Sequence, residues 1–146
     1  MTAKPQPEIG KTSAAEIARY FRRYGWSFEQ LETDTFRTGF RGHHAAFVAL
    51  VRVTPHWVVF TINPLLRAPE GGFGKAALRA LAVANQQANL AKLGIDDDGD
   101  AFINVEMPVE GFAFSHFTAS LASLAHFADT FVVPLLQAKA IDERNL

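Results

Sequence analysis

The sequence predicts an α+β domain in the order α-β-β-β-α-β-β-α, a five-stranded antiparallel sheet packed with helices. Three observations predict the elements. Apolar residues recur at helical spacing near the start, in the middle and near the end of the chain. Three strand-like runs between 35 and 63 are separated only by short turns, which makes a meander. Asp98-Gly99 sits just before an apolar run, a strong hairpin signal.

Residues 1–12 contain Pro5, Pro7 and Gly10 and no apolar period, and read as a flexible arm. Ser13 to Glu16 forms a capping box, in which the serine oxygen takes a free amide and the glutamate reaches back. Ile17, Tyr20, Phe21 and Tyr24 then share one helical face, and Gly25 ends the helix in the left-handed conformation. Trp26 and Phe28 fold back onto the core, and 29–34 is a polar connection. The run 35–41 alternates, with Phe36, Thr38 and Phe40 on one face. Runs 45–54 and 57–63 are apolar on both faces, so both faces of the sheet are expected to be covered.

Pro64, Pro69 and Gly71-Gly72 mark a loop. A long helix is predicted over 73–93, with Ala77, Leu81, Ala84, Ala88 and Ala91 as a small-residue stripe suited to close packing. Gly94 follows it, and Asp98-Gly99 makes a type I′ turn into the strand 101–107. The last helix is predicted over 115–138, capped by Ser115, with Phe117, Leu121, Leu124, Ala128, Phe131 and Leu135 as its buried stripe. Pro134 should kink its last turn. Asp129 is the single formal charge between 112 and 138, where a surface helix normally carries a charged face. The bounds are an arm at 1–12, one domain at 13–138 and a frayed tail at 139–146.

A chain of 146 residues with 49% hydrophobic residues is long enough for one real core. It has no cysteine, which excludes disulfides, thiolate metal sites and a cysteine nucleophile. The N-terminal stretch has no apolar run resembling a signal peptide, and apolar stretches of spanning length carry polar interruptions, so a cytoplasmic protein without membrane contact is expected. Net charge is −1, yet residues 1–92 hold 12 Lys/Arg against 6 Asp/Glu, and 93–146 hold 2 against 9. The two halves can neutralise each other. The alternative is a partner-binding patch around Arg19, Arg22 and Arg23.

Candidate chemistry is sparse. The acidic run 96–100 fails the calcium-loop register, because the positions that need Gly and Glu are Ala101 and Met107. His43-His44 and His56 fall on turns at opposite ends of one strand, and His116 and His126 are out of helical phase. The loop Glu70 to Lys75 lacks the glycine spacing and the Ser/Thr of a phosphate cradle. No nucleophile–base pair emerges, so no catalytic residue, cofactor or metal is assigned. Asn85 and Asn89 border the apolar stripe. Asn85 is read as a structural amide bonded to backbone, with a ligand contact as the alternative.

Ala77-Leu78, Leu81 and Asn85, the run from Lys92 to Asp100, Met107-Pro108 and Ala128-Asp129 together resemble the YbjN-like family, which is structurally related to type III secretion chaperones. The first half fits as well, with a helix closing on Tyr24-Gly25-Trp26 and Trp57 opening the third strand. The resemblance covers residues 13–138. It implies a usually dimeric α+β domain that binds other proteins and has no catalytic residues. The family is described as sensory transduction regulators.

The resulting expectation is a non-enzymatic, chaperone-like homodimer that holds or regulates a client protein. Its dimer interface is placed on the final helix at Ser120, Ser123, His126 and Phe127, with Asn85 and Gly99 as structural positions. The alternative is a nucleic-acid-associated or stress-regulatory protein using the basic half.

Overall fold

The computed structural model describes residues 10–145; the expectations for 1–9 and for Leu146 lie outside the described residues. Nine elements follow in the order α1 (Ala14–Tyr24), β1 (Phe28–Glu32), β2 (Thr35–Arg41), β3 (Ala46–Val53), β4 (Trp57–Leu66), α2 (Lys75–Gln87), β5 (Lys92–Ile95), β6 (Ala101–Pro108) and α3 (Phe114–Arg144). The sheet has six strands, not five, in the order β1-β2-β3-β4-β6-β5. All neighbours are antiparallel.

The additional strand is β1, in the segment expected to be a polar connection. Glu29 to Glu32 are exposed, so the strand shows no alternation; pairing with β2 alone makes it a strand. α1 forms as its sequence dictates. Ser13 Oγ accepts from the Glu16 amide at 3.3 Å, and the Gly25 amide donates to Phe21 with φ at +83°. Glu16 does not reach back to Ser13, however. Its carboxylate takes the hydroxyls of Thr12 at 3.1 Å and Tyr20 at 2.5 Å. Burial, and then the Glu16 carboxylate, push the Tyr20 phenol up to about 12.

Residues 10–12 are tied to the domain. Lys11 bridges Glu110, and the buried Thr12 donates its amide to Val109 at 2.9 Å. α2 is shorter than expected, because the chain leaves the helix after Gln87 and Leu90 takes φ +65°. Gly94 accordingly lies inside β5. The turn after β5 is also different. Gly99 donates to Asp96 at 3.0 Å, Asp96 donates to Asp100 at 2.9 Å, and Gly99 alone has positive φ, +88°. This is a three-residue turn ending in a glycine bulge, not type I′, because Asp98 keeps negative φ. The Asp96 carboxylate holds the turn by accepting the Asp98 and Asp100 amides.

α3 begins at Phe114 instead of at a Ser115 cap, with the Ala113 amide donating to His116 Nδ1 at 3.0 Å. It passes through Pro134 and continues to Arg144, where a frayed tail was expected. By length and apolarity α3 meets the requirement for crossing a membrane, with a mean hydropathy of 1.4 over its best window. Its Phe117, Leu121, Leu124, Phe131 and Leu135 are buried in the domain's own core, and 39% of that window is buried in all.

The helices lie on one face of the sheet. Phe36, Val51, Phe60, Ile103 and Val105 point into the core and meet Phe21, Leu81 and Phe117. Full burial of one such side chain stabilises by about 1.5–3 kcal/mol. The opposite face has no helix, contrary to the expected double cover: Val48 is 62% exposed and Trp57 47%. Polar pairs interleave with those apolar residues. Arg37 bonds Glu29 at 2.5 Å, Lys92 pairs with Glu106 at 2.9 Å, and Thr61 bonds Asn104.

Candidate protein-binding surface

Two aspartates on α3 fix how its C-terminal half sits. The Asp129 carboxylate accepts the amides of His43 and His44, both at 2.9 Å, and so pins the β2–β3 turn. The His44 amide, with that of His43, holds the Asp129 carboxyl below the usual carboxylate range. Asp142 does the same at α2, accepting the Ala76 and Ala77 amides, each at 2.9 Å. A helix N-terminus attracts anions, and here the chain's own carboxylate fills it. Glycine stands beside each clamp: a Cβ on Gly42 would collide with Asp129, and one on Gly74 would come within 2.6 Å of Asp142 Cγ.

With its N-terminus so fixed, α2 lies along α3 through small residues, and the pair leaves an open groove of about 460 Å³. Ala80, Val83 and Ala84 form its α2 wall; Phe131, Ala138 and Ile141 form its α3 wall. Val83 is 47% exposed and Ile141 43%. Leu78 and Leu136 add exposed apolar surface on the same two helices. The groove holds Arg79 and otherwise little charge, so it offers apolar contact area and no nucleophile–base pair.

The residues expected at a dimer interface are distributed differently. Ser120 is fully buried inside the domain and presents no surface to a second copy; among the described residues its hydroxyl has no partner. It lies on the core side because it precedes Leu124 by one helical turn. Ser123 donates to the Asn89 carbonyl at 2.5 Å, tying α3 to the α2–β5 connection. Phe127 is half-buried and stacks on Phe131 with centroids 5.6 Å apart; His126, at its edge, is exposed. The groove was missed because alanines at helical spacing signal close packing and do not signal the space left beside it.

Asn85 bonds backbone in both directions. Its amide donates to the Leu93 carbonyl and its oxygen accepts the Leu93 amide, each at 2.7 Å, so it closes the edge of β5. Asn89 lies beyond α2 and contributes backbone only. His43-His44 and His56 occupy turns at opposite ends of β3. Among the described residues, no group of three or more His, Asp and Glu side chains is placed to hold a metal. The basic cluster on α1 is partly engaged: Arg23 lies 4.1 Å from the Phe114 ring centroid, and Arg22 lies 5.6 Å from that of Phe28.

Comparison with solved structures places the fold among type III secretion chaperones. The chain resembles a chain of the heterodimeric ExoU–SpcU complex from the type III secretion system of Pseudomonas aeruginosa, with TM-score 0.60 and 16% identity, covering 82% of this chain and 97% of that one. It also resembles a structure of the Yersinia pestis type III secretion chaperone SycH in complex with a stable fragment of YscM2, at TM-score 0.58 and 13% identity, covering 82% and 99%. A third match is to the ExsC–ExsE complex, at TM-score 0.59 and 15% identity, covering 84% and 95%. No curated protein matches the chain significantly. The YbjN family model, described as "Putative bacterial sensory transduction regulator", matches residues 13–136. On that match, which takes in every helix and strand but the last turns of α3, the chain belongs to the YbjN family.

Proposed function

We propose that this protein is a non-enzymatic, chaperone-like binding module: a cytoplasmic homodimer that holds or regulates a client protein. The observation that carries the reading is the apolar groove between α2 and α3, fixed by the Asp142 clamp and left open by alanines. The fold shared with secretion chaperones supports it.

A second copy of the chain suits the groove. Its small side chains permit close helix approach. α2 carries Lys75 and Arg79 and no acid, whereas Glu143 lies near the end of α3. Neither Arg79 nor Glu143 has a salt-bridge partner among the described residues. A twofold dimer through this groove would set the same surface of both copies against each other. This moves the expected interface from Ser120 and its neighbours to the open side of the same helix. Light scattering across a range of concentrations tests the reading. The expected mass is about twice 16.0 kDa, and a concentration-independent 16.0 kDa opposes it.

A further inference from the structure

The β3–β4 ladder is incomplete. It runs from Leu50↔Thr61 to Val53↔Val58 and stops, although β3 begins at Ala46 and β4 continues to Leu66. β4 bulges there, its register on β6 jumping from Ile62↔Ile103 to Leu66↔Ala101. The two strands part, and a cleft of about 370 Å³ opens between them. Phe47, Ile62, Leu65 and Val132 line it.

The direction of the main chain decides what fits. Val53 donates its amide to Asp34, on the β2 side, and Thr54 donates to Trp57, on the β4 side. Main-chain groups alternate sides along a strand, so Ala46 and Val48 present N–H and C=O to the cleft. The β4 ladder gives them no partner. Two such pairs, two residues and about 6.8 Å apart, match the groups of an extended backbone. A second copy's sheet is excluded, since β2 flanks β3 on one side and β4 closes on it from Leu50. A single strand entering from the open end at Ala46 meets no such obstacle.

The walls set its side chains. Those facing inward meet the apolar lining. Those facing the bare side of the sheet lie beside Ala46, in register with Arg41. Arg41 is exposed and has no salt-bridge partner among the described residues, and the alanine methyl leaves its guanidinium free to reach across.

We infer that the cleft between β3 and β4 takes a short extended segment of a partner polypeptide, apolar on its inward side and acidic on its outward side, paired through the main chain of Ala46 and Val48. This rests on the protein-binding reading above but uses a different surface.

The test titrates the full ¹⁵N-labelled chain with a short capped peptide of alternating valine and glutamate. The expected result is a shift of the Ala46 and Val48 amides and slowed exchange at both. N-methylating the pairing edge of the peptide should weaken binding at least about tenfold, the weight of one or two main-chain hydrogen bonds. Arg41→Glu should weaken the glutamate peptide and favour a valine–lysine one. Equal binding of the N-methylated peptide, or no shift at saturation, overturns the inference. Shifts confined to the α2–α3 groove overturn it too, while leaving the protein-binding reading in place. A monomer mass would remove the dimer and leave a positive cleft result standing.

Discussion

The two halves of α3 are packed in opposite ways. Its N-terminal half meets a cluster of rings: Phe117 lies 4.9 Å from Phe21, 5.7 Å from Tyr20 and 5.9 Å from Phe60, centroid to centroid. Its C-terminal half meets the alanines of α2 and leaves a groove of about 460 Å³. Rings fill the space between elements, and alanines bring backbones together without filling the space alongside. The first half of the helix is thus packed against rings, whereas the second half buries Phe131 and Leu135 in the core and also keeps surface available to a partner.

The largest effect should come from truncating the filled end. Phe117 is fully buried, so Phe117→Ala should cost about 3–5 kcal/mol in a denaturant titration. A change on the α2 wall that faces the open end, Val83→Ala, should cost less than about 0.5 kcal/mol, since that side chain is half exposed. Equal losses would break the comparison. Asn85→Leu should rank next. Leucine suits a helix better, yet the Leu93 amide and carbonyl lose their partners, at about 1–3 kcal/mol. An unchanged midpoint would mean that water replaces the amide without loss.

Gly99→Val should cost about 1–3 kcal/mol, because a β-branched residue is strained at φ +88°. An unchanged melting temperature would argue against the glycine bulge. The smallest effect concerns the Asp129 clamp. Its carboxyl is held low in the folded chain, so its contribution is present above the unfolded carboxylate value, about 3.9, and fades as pH falls through the folded value. The difference in melting temperature between wild type and Asp129→Asn should therefore be largest near neutral pH and narrow under acid. A difference constant with pH would assign the effect to geometry alone.

What the sequence reveals follows from contrast between neighbouring residues. α1 is legible because Ser13, the apolar spacing and Gly25 agree. β1 is not, because Glu29 to Glu32 face solvent on both sides and only the register with β2 defines them. The alanine stripe keeps helical phase past Gln87, so the end of α2 is hidden until Leu90 turns to positive φ. Two-sided apolar strands suggest a covered sheet, but Val48 and Trp57 remain exposed. The expected interface fails at Ser120 for a different reason: its spacing from Phe117 and Leu124 puts it in phase with the buried stripe, and its polar hydroxyl masks that phase. The groove and the cleft arise where elements part, and no local pattern encodes a separation.

The central claim is that the open end of α3 binds protein through the α2–α3 groove. Light scattering of wild type and Val83→Asp at matched concentrations tests it most directly. A charge in the groove should leave the fold intact, because Val83 is 47% exposed, and should disrupt association. The predicted result is a mass of about twice 16.0 kDa for wild type and 16.0 kDa for the variant, with closely similar melting temperatures at low concentration. A wild type that stays at 16.0 kDa, or a variant that still doubles, would contradict the account.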